Sequence, residues 1–415
     1  MSNHPRAVYL LSMKLRVFCA FIMLSAVFLS CRREEISAVV REDLFSLEIG
    51  MREDQAALFS LEGGIAATSV AMRDGLFYVA WNSGAKIVRY SSYGDAIFMI
   101  YNDEVNPPPL AMRTNVERGE VVTRWAVSWP LASPGRIAVD TRKHIFVEDR
   151  LPPERRVIDR ENRVLLDSMI LHFDEAGRFV EYLGQEGIGG TPFPRINNVY
   201  TSINDELAVV CRLPSGWAVY WFDAAGAPRF TVLVHGAAVP LPPGRPDVFP
   251  SVDTIAAAPD RRQLFLKVDY YRAVNDESTG TRAGVEPDSS IVWVLDAETG
   301  AYVDSIEVPF YEEHIPGRGE TQKLFYSLMG VIREGRVFLS HPVDGGYLIL
   351  ILQMALPGGE EAGRRQGFIR VGNDELEFNA FALSGDGLLS GLLATEQEVR
   401  MAFWRTDRLA EEMLP

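Results

Sequence analysis

Apolar residues along this chain fall into short runs separated by tight polar turns, and long stretches with a helical spacing of three and four are nearly absent. One unit recurs: an apolar strand, a tight turn, a second strand, a third strand ending in an Asp-x-x-Gly turn, and a fourth. It is clearest at 136–140, 144–147, 169–173 and 179–183, with Asp174-Glu175-Ala176-Gly177 before the last strand. Further copies lie at 69–100, 204–234 and 260–308, and two more diverged ones at 329–352 and 378–405. A four-stranded sheet that is apolar on both faces needs a neighbour on each side, and closing a row of them into a ring removes the exposed ends. The pattern predicts an all-β fold, a β-propeller of six blades with four antiparallel strands each, spanning 44–407. Residues 44–49 are expected to complete the last blade and 408–415 to form a tail.

Strand reversal places the turn between the first and second strands, and that between the third and fourth, at one end of every blade. The other connections lie at the opposite end. By this register 103–132, 235–248 and 310–325 are links between blades, and 151–167 and 272–288 join second to third strands, so five long non-strand stretches share one face. They hold 12 of the 24 prolines, which sheets exclude from interior strands. Only 354–366 is assigned to the opposite end. Loops on a rigid scaffold are where binding concentrates. Trp125, Trp129, Phe310 and Tyr311 are the aromatic candidates for contacting a partner there, with packing beneath their own loops as the alternative for each.

The amino terminus carries an address. Met13-Lys14-Leu15-Arg16 is a short basic region, followed by an uncharged apolar run at 17–30 that is too short to span a bilayer. The run ends Phe28-Leu29-Ser30-Cys31, which resembles a bacterial lipobox with Phe28 where leucine is usual. The resemblance implies cleavage before Cys31 and a covalent lipid on that thiol, giving a signal peptide over 1–30 with the true start at Met13, and an acylated tether over 31–43. The copy at 135–193, with its stretch Gly184-Gln185-Glu186-Gly187-Ile188-Gly189-Gly190-Thr191-Pro192-Phe193, resembles NHL-type repeats. As a whole the chain is similar to six-bladed, NHL-like propeller lipoproteins of spirochaetes, which implies a lipid-anchored position in the cell envelope, facing periplasm or cell surface.

Composition narrows the chemistry. The net charge is −15 in 415 residues, which disfavours a nucleic-acid partner because there is no basic stripe to displace counterions from the phosphates. Of three cysteines, only Cys211 lies beyond the amino-terminal segment, within an apolar run, and reads as a buried small hydrophobe. No catalytic motif is present: the histidines have no metal-ligand spacing, and there is no phosphate loop, dinucleotide fingerprint or nucleophile elbow. Asn-Asp-Glu recurs at Asn102, Asn204, Asn275 and Asn373 without the alternating ligands of a calcium loop, and is turn chemistry. The leading expectation is a membrane-anchored envelope lipoprotein that uses its loop-rich face to bind a protein or peptide, without catalytic residue, metal or cofactor. The alternative is a metal-dependent propeller hydrolase or lyase of lactonase-like type, with ligands contributed singly by several blades to the central channel.

Overall fold

Six antiparallel sheets follow one another along the chain, each built inner strand first. In the computed structural model the described residues are 36–411 and 413, apart from 60–63, 65, 115–121, 277, 279, 316, 318, 320, 355–362, 373, 374, 376 and 377. The signal segment and Cys31 therefore lie outside the described residues, and residues from Ala38 onward form one compact unit.

The first blade is Thr68–Arg73, Leu76–Trp81, Lys86–Tyr90 and Ala96–Tyr101; the second is Ile137–Val139, Ile145–Arg150, Ser168–Phe173 and Phe179–Gly184. Blade three is Ile196–Thr201, Leu207–Leu213, Gly216–Phe222 and Pro228–His235, and blade four is Val248–Ala257, Gln263–Asn275, Arg282–Asp296 and Tyr302–Val308. Blade five is Ser327–Val331, Arg336–Val343, Gly346–Gln353 and Gly363–Arg370. The sixth has three strands from the carboxyl end, Phe378–Leu383, Leu389–Ala394 and Glu398–Trp404. Its outer strand is Arg41–Glu48, paired antiparallel with Glu398–Trp404. Closure by an amino-terminal strand was expected from 44–49 and is found three residues earlier at its start. After the last strand the chain turns into a helix, Thr406–Glu411, with Leu409 and Ala410 buried against blades five and six.

The middle strands show why these sheets must stack. Every residue of Lys86–Tyr90, Gly216–Phe222 and Leu389–Ala394 is buried, on both sides of the pleat. Alternate side chains feed different neighbours: Leu264, Leu266 and Val268 pack with blade three, and Phe265 with blade five. There is an apolar cluster for each pair of adjacent blades, including one in which Leu392, Val399 and Met401 of the last blade meet Val70, Phe77 and Trp81 of the first. A row of six sheets has five such interfaces. The sixth closes the ring, so this is the six-bladed all-β propeller the alternation predicts.

Three of the stretches expected to be irregular are paired strands. The connection at 272–288 is the tip of a long hairpin, with Arg272 opposite Glu286 and Ala273 opposite Val285. Within 310–325, Tyr311–His314 pairs with Thr321–Leu324, and within 151–167, Val157–Asp159 pairs with Val164–Leu166. A ladder satisfies backbone groups whatever the side chains, so these polar segments form strands without an apolar alternation to announce them. The stretch 103–132 also departs from its expected place. Its later part, Trp125–Ser128, is a fifth strand of blade one, parallel to Ala96–Tyr101. Trp125 thus lies opposite Phe98, near the short-turn end of the blade rather than among the links.

Candidate functional site

The inner strand of each blade runs from the link end to the short-turn end with one backbone edge toward the ring axis. The six together enclose a central cavity of about 820 Å³. Its wall includes Ala71 from blade one, Ala138 from blade two, Asn198 and Tyr200 from blade three, Ala257 from blade four, Gly330 from blade five and Ala382 from blade six. Small residues leave the lumen open. Two polar side chains of the wall are tied to each other, Asn198 Nδ2 donating to the Tyr200 hydroxyl at 2.8 Å.

Charge gathers where the inner strands end. Asp74 and Gly75 form a two-residue turn with φ of 51° and 72°, the left-handed values that such hairpins demand. That turn fixes Arg73 opposite Leu76 at the rim. Arg333, Asp386, Arg405 and Asp407 complete the charged rim from blades five and six. Two of these arginines are neutralised locally: Arg405 grips Asp407 through Nε at 2.9 Å and NH2 at 2.7 Å, and Arg333 meets Asp386 at 2.8 Å. Arg136 lines the cavity from the start of the second inner strand, toward the link end. Among the described residues neither Arg73 nor Arg136 has an ion pair or a hydrogen bond through its guanidinium.

The rim is held by a belt of bonds between neighbouring short turns. Thr141 donates to Asp205 Oδ1 from both its backbone nitrogen, at 2.8 Å, and its hydroxyl, at 2.6 Å. Ile203 N donates to Pro259 O at 2.8 Å, Glu334 N to Asp260 Oδ2 at 2.9 Å, and Arg333 N to Gly385 O at 3.1 Å. Below the belt, Glu206 accepts from Trp221 Nε1 at 2.9 Å and from Arg262 NH2 at 2.6 Å. Burial pushes the Glu206 carboxyl up, but these donors outweigh it and hold the group below the usual carboxylate range. The result is a mouth framed by fixed turns.

The four aromatic residues singled out from the sequence lie elsewhere. Trp125 donates from Nε1 to Ala176 O at 3.0 Å, and its ring sits 5.2 Å from Phe98 with the Arg89 guanidinium 5.0 Å away. Trp129 stacks on Phe179 of blade two at 4.1 Å. Both pack against the core between blades one and two. Phe310 lies 5.3 Å from Phe325, and Tyr311 stacks on His341 at 4.3 Å, so this pair fastens a hairpin base near blades four and five. All four are half-buried, and none lines the cavity. Cys211 is fully buried, and burial pushes its thiol well up. Among the described residues no group of three or more His, Cys, Asp or Glu side chains is placed to hold a metal ion.

The inner strands of blades three and four were missed in the sequence. Ile196–Thr201 and Val248–Ala257 carry asparagine, proline and aspartate among their apolar residues, because an edge facing a wet lumen has no need of a continuous apolar run. Their signal lay downstream: Asn204-Asp205 and Asp260 mark short turns, and a short turn in this unit requires an inner strand before it.

No family model and no curated protein matches the chain. Several solved structures are similar to it. The β-propeller domain of the Trilobed protease from Pyrococcus furiosus is 9% identical, with 88% of this chain and 94% of that chain covered and a TM-score of 0.39. An α-L-arabinanase from Penicillium chrysogenum, complexed with arabinobiose, is 13% identical over 90% of this chain and all of its own, with a TM-score of 0.42. The WD40 domain of Toxoplasma gondii coronin is 9% identical over 90% and 89%, with a TM-score of 0.39.

Proposed function

We propose that this protein is a lipid-anchored envelope propeller that binds a ligand in its central cavity through the mouth framed by the short turns. The observation that carries the reading is a cavity walled by all six inner strands, with a rim whose turns are bonded to one another across neighbouring blades. A preformed concave site needs little ordering on binding, which favours recognition of a small molecule or a chain end. Binding is favoured over metal-dependent hydrolysis by the donor set. Two of the three lining aspartates, Asp386 and Asp407, are already closed by arginines, and the remaining charged side chains other than Asp74 are cationic.

Ala71→Trp and Ala382→Trp, each placing an indole at the lumen, test this reading. Saturation-transfer screening of organic acids, sugars, amino acids and short peptides should give hits that both variants abolish while retaining the melting temperature of the parent. An absence of hits, or hits that neither variant displaces, overturns it. The anchor is tested separately: labelled palmitate is expected to enter the protein in bacterial cells and to be lost on Cys31→Ser, and labelling that survives the substitution overturns the lipid assignment.

A protein partner at the link face is the second reading. It is favoured by exposed Leu241, Phe249, Val274 and Val285 around the tall blade-four hairpin. Crosslinking from position 274 or 285 in intact cells should trap one specific protein if that surface is used, and trimming 276–281 should abolish the trap.

A further inference from the structure

The ionic character of the cavity departs from that of the chain. The protein is acidic, at −15 overall, yet the cavity lining contains four arginines against three aspartates and no glutamate or lysine. Internal pairing removes Arg333 with Asp386 and Arg405 with Asp407. What remains is Arg73 at the mouth, Arg136, exposed at the opposite end of the lumen, and Asp74, which is exposed at the tip of its turn. Neither guanidinium makes a hydrogen bond or ion pair among the described residues, although Arg136 acts electrostatically on Glu148, so each keeps its full fork of donors, a geometry that matches carboxylate or phosphate oxygens.

Their separation follows from chain direction. Arg73 is the last residue of the first inner strand, and Arg136 comes immediately before the second. All inner strands run the same way, so these neighbours contribute cations at opposite ends of the lumen. The three residues of Ile137–Val139 span roughly 10 Å at about 3.3 Å per residue. Between the two lie Ala71, Ala138, Asn198 and Tyr200, a passage without charge that offers both polar and apolar surface.

We propose that the ligand is an extended organic anion bearing negative groups toward both ends, with Arg73 holding one and Arg136 the other and an uncharged middle against the uncharged wall between them. This rests on the cavity being the binding site. The ligand's acidic ends would replace water at two donors the fold leaves open, and the lumen sets the reach between them.

Calorimetry on the purified chain with α,ω-dicarboxylates from succinate to sebacate tests the idea, alongside octanoate and the neutral diamide of each diacid. Affinity is expected to peak at one chain length and to exceed both the equal-length diamide and octanoate by tenfold or more. Arg73→Gln and Arg136→Gln should each reduce the best diacid to the level of the monoacid, with Arg73→Lys and Arg136→Lys recovering part of the loss. Neither guanidinium has a hydrogen bond to lose, and Arg136 loses only its electrostatic action on Glu148, so the glutamine variants should melt within a few degrees of the parent. Diamides that bind as well as diacids, or diacid binding untouched by either glutamine variant, overturn the proposal. If neutral compounds are then displaced by Ala71→Trp, the cavity still stands as the site and only its anion preference has failed. If nothing is displaced, both have.

Discussion

His144 Nδ1 and His172 Nε2 stand 2.8 Å apart, and the far nitrogen of His172 meets Glu181 Oε1 at 3.2 Å. A neutral His172 that donates from Nδ1 to the Glu181 carboxylate accepts from His144 through Nε2. Asp140, which accepts from the His144 backbone nitrogen, is the other charged group acting on the pair.

Burial lowers the His172 pKa from its ordinary 6.5, and the adjacent His144 adds to this against the opposing pull of Glu181. A folded-state pKa below the unfolded one means that the unfolded chain binds more protons between the two. The stabilisation is therefore full above pH 6.5 and is lost as the pH falls through that value toward the folded pKa. Urea midpoints measured from pH 8 to pH 5 should decline over this window, and His172→Phe, which retains the stack on Phe146, should flatten the decline.

An ion pair joins the closing strand to the last blade. Arg41, on the amino-terminal outer strand, grips Glu375 just before the last blade, with NH2 to Oε1 at 2.6 Å, and Arg400 reaches the same oxygen at 3.2 Å. The Glu375 side chain is only 2% exposed. Burial pushes its carboxyl up, but the Arg41 bonds and the Gly372 N–H outweigh that and leave it below the usual range. Glu375→Gln removes one of the two carboxylates on Arg41, which keeps Asp43 at 2.7 Å, and should cost about 2 kcal/mol, read as a lower denaturant midpoint and earlier proteolysis near residue 40. In the parent the contribution holds above the unfolded glutamate pKa, near 4.3, and fades as the pH drops further.

Gly184 tests the glycine-rich stretch of blade two. A Cβ at this position would strike the carbonyl oxygens of Gly190 and Thr191, both backbone atoms. Gly184→Ala must shift the loop that returns to Gly187–Ile188, and should lower the melting temperature by several degrees. Gly244→Ala serves as the contrast: no neighbouring heavy atom lies within 4 Å of its added Cβ, so only the cost of its positive φ applies.

Trp129 separates packing from recognition. Its stack on Phe179 joins blade one to blade two, so Trp129→Ala should cost about 2 kcal/mol, below the range for fully buried aromatic truncations. Trp129→Phe should recover most of it. If the alanine variant melts with the parent, the ring bears no structural load and becomes a surface contact again.

Alternation of apolar runs with short polar turns was enough to show six sheets, their order and the need to close them. These follow from local physics: a strand's period of two, the turn residues that reverse it, and two apolar faces that must both be covered. Even the closing strand was legible, because an incomplete last blade needs a fourth strand and the amino terminus had one to offer. The site was not legible in the same way. Arg73 and Arg136 flank strands and look like any solvated arginine in one dimension. Only the ring places them on one lumen and gives Arg333 to Asp386, whereas Arg405 takes Asp407 two residues along the chain. Trp125 moved from its expected face for a similar reason, since residues 103–132 include a parallel strand, and nothing in local pattern records which way a link runs. Spacing along a chain encodes which segments become strands. Which charges share the lumen is settled by neighbours distant in sequence, and those are known only once the blades have met.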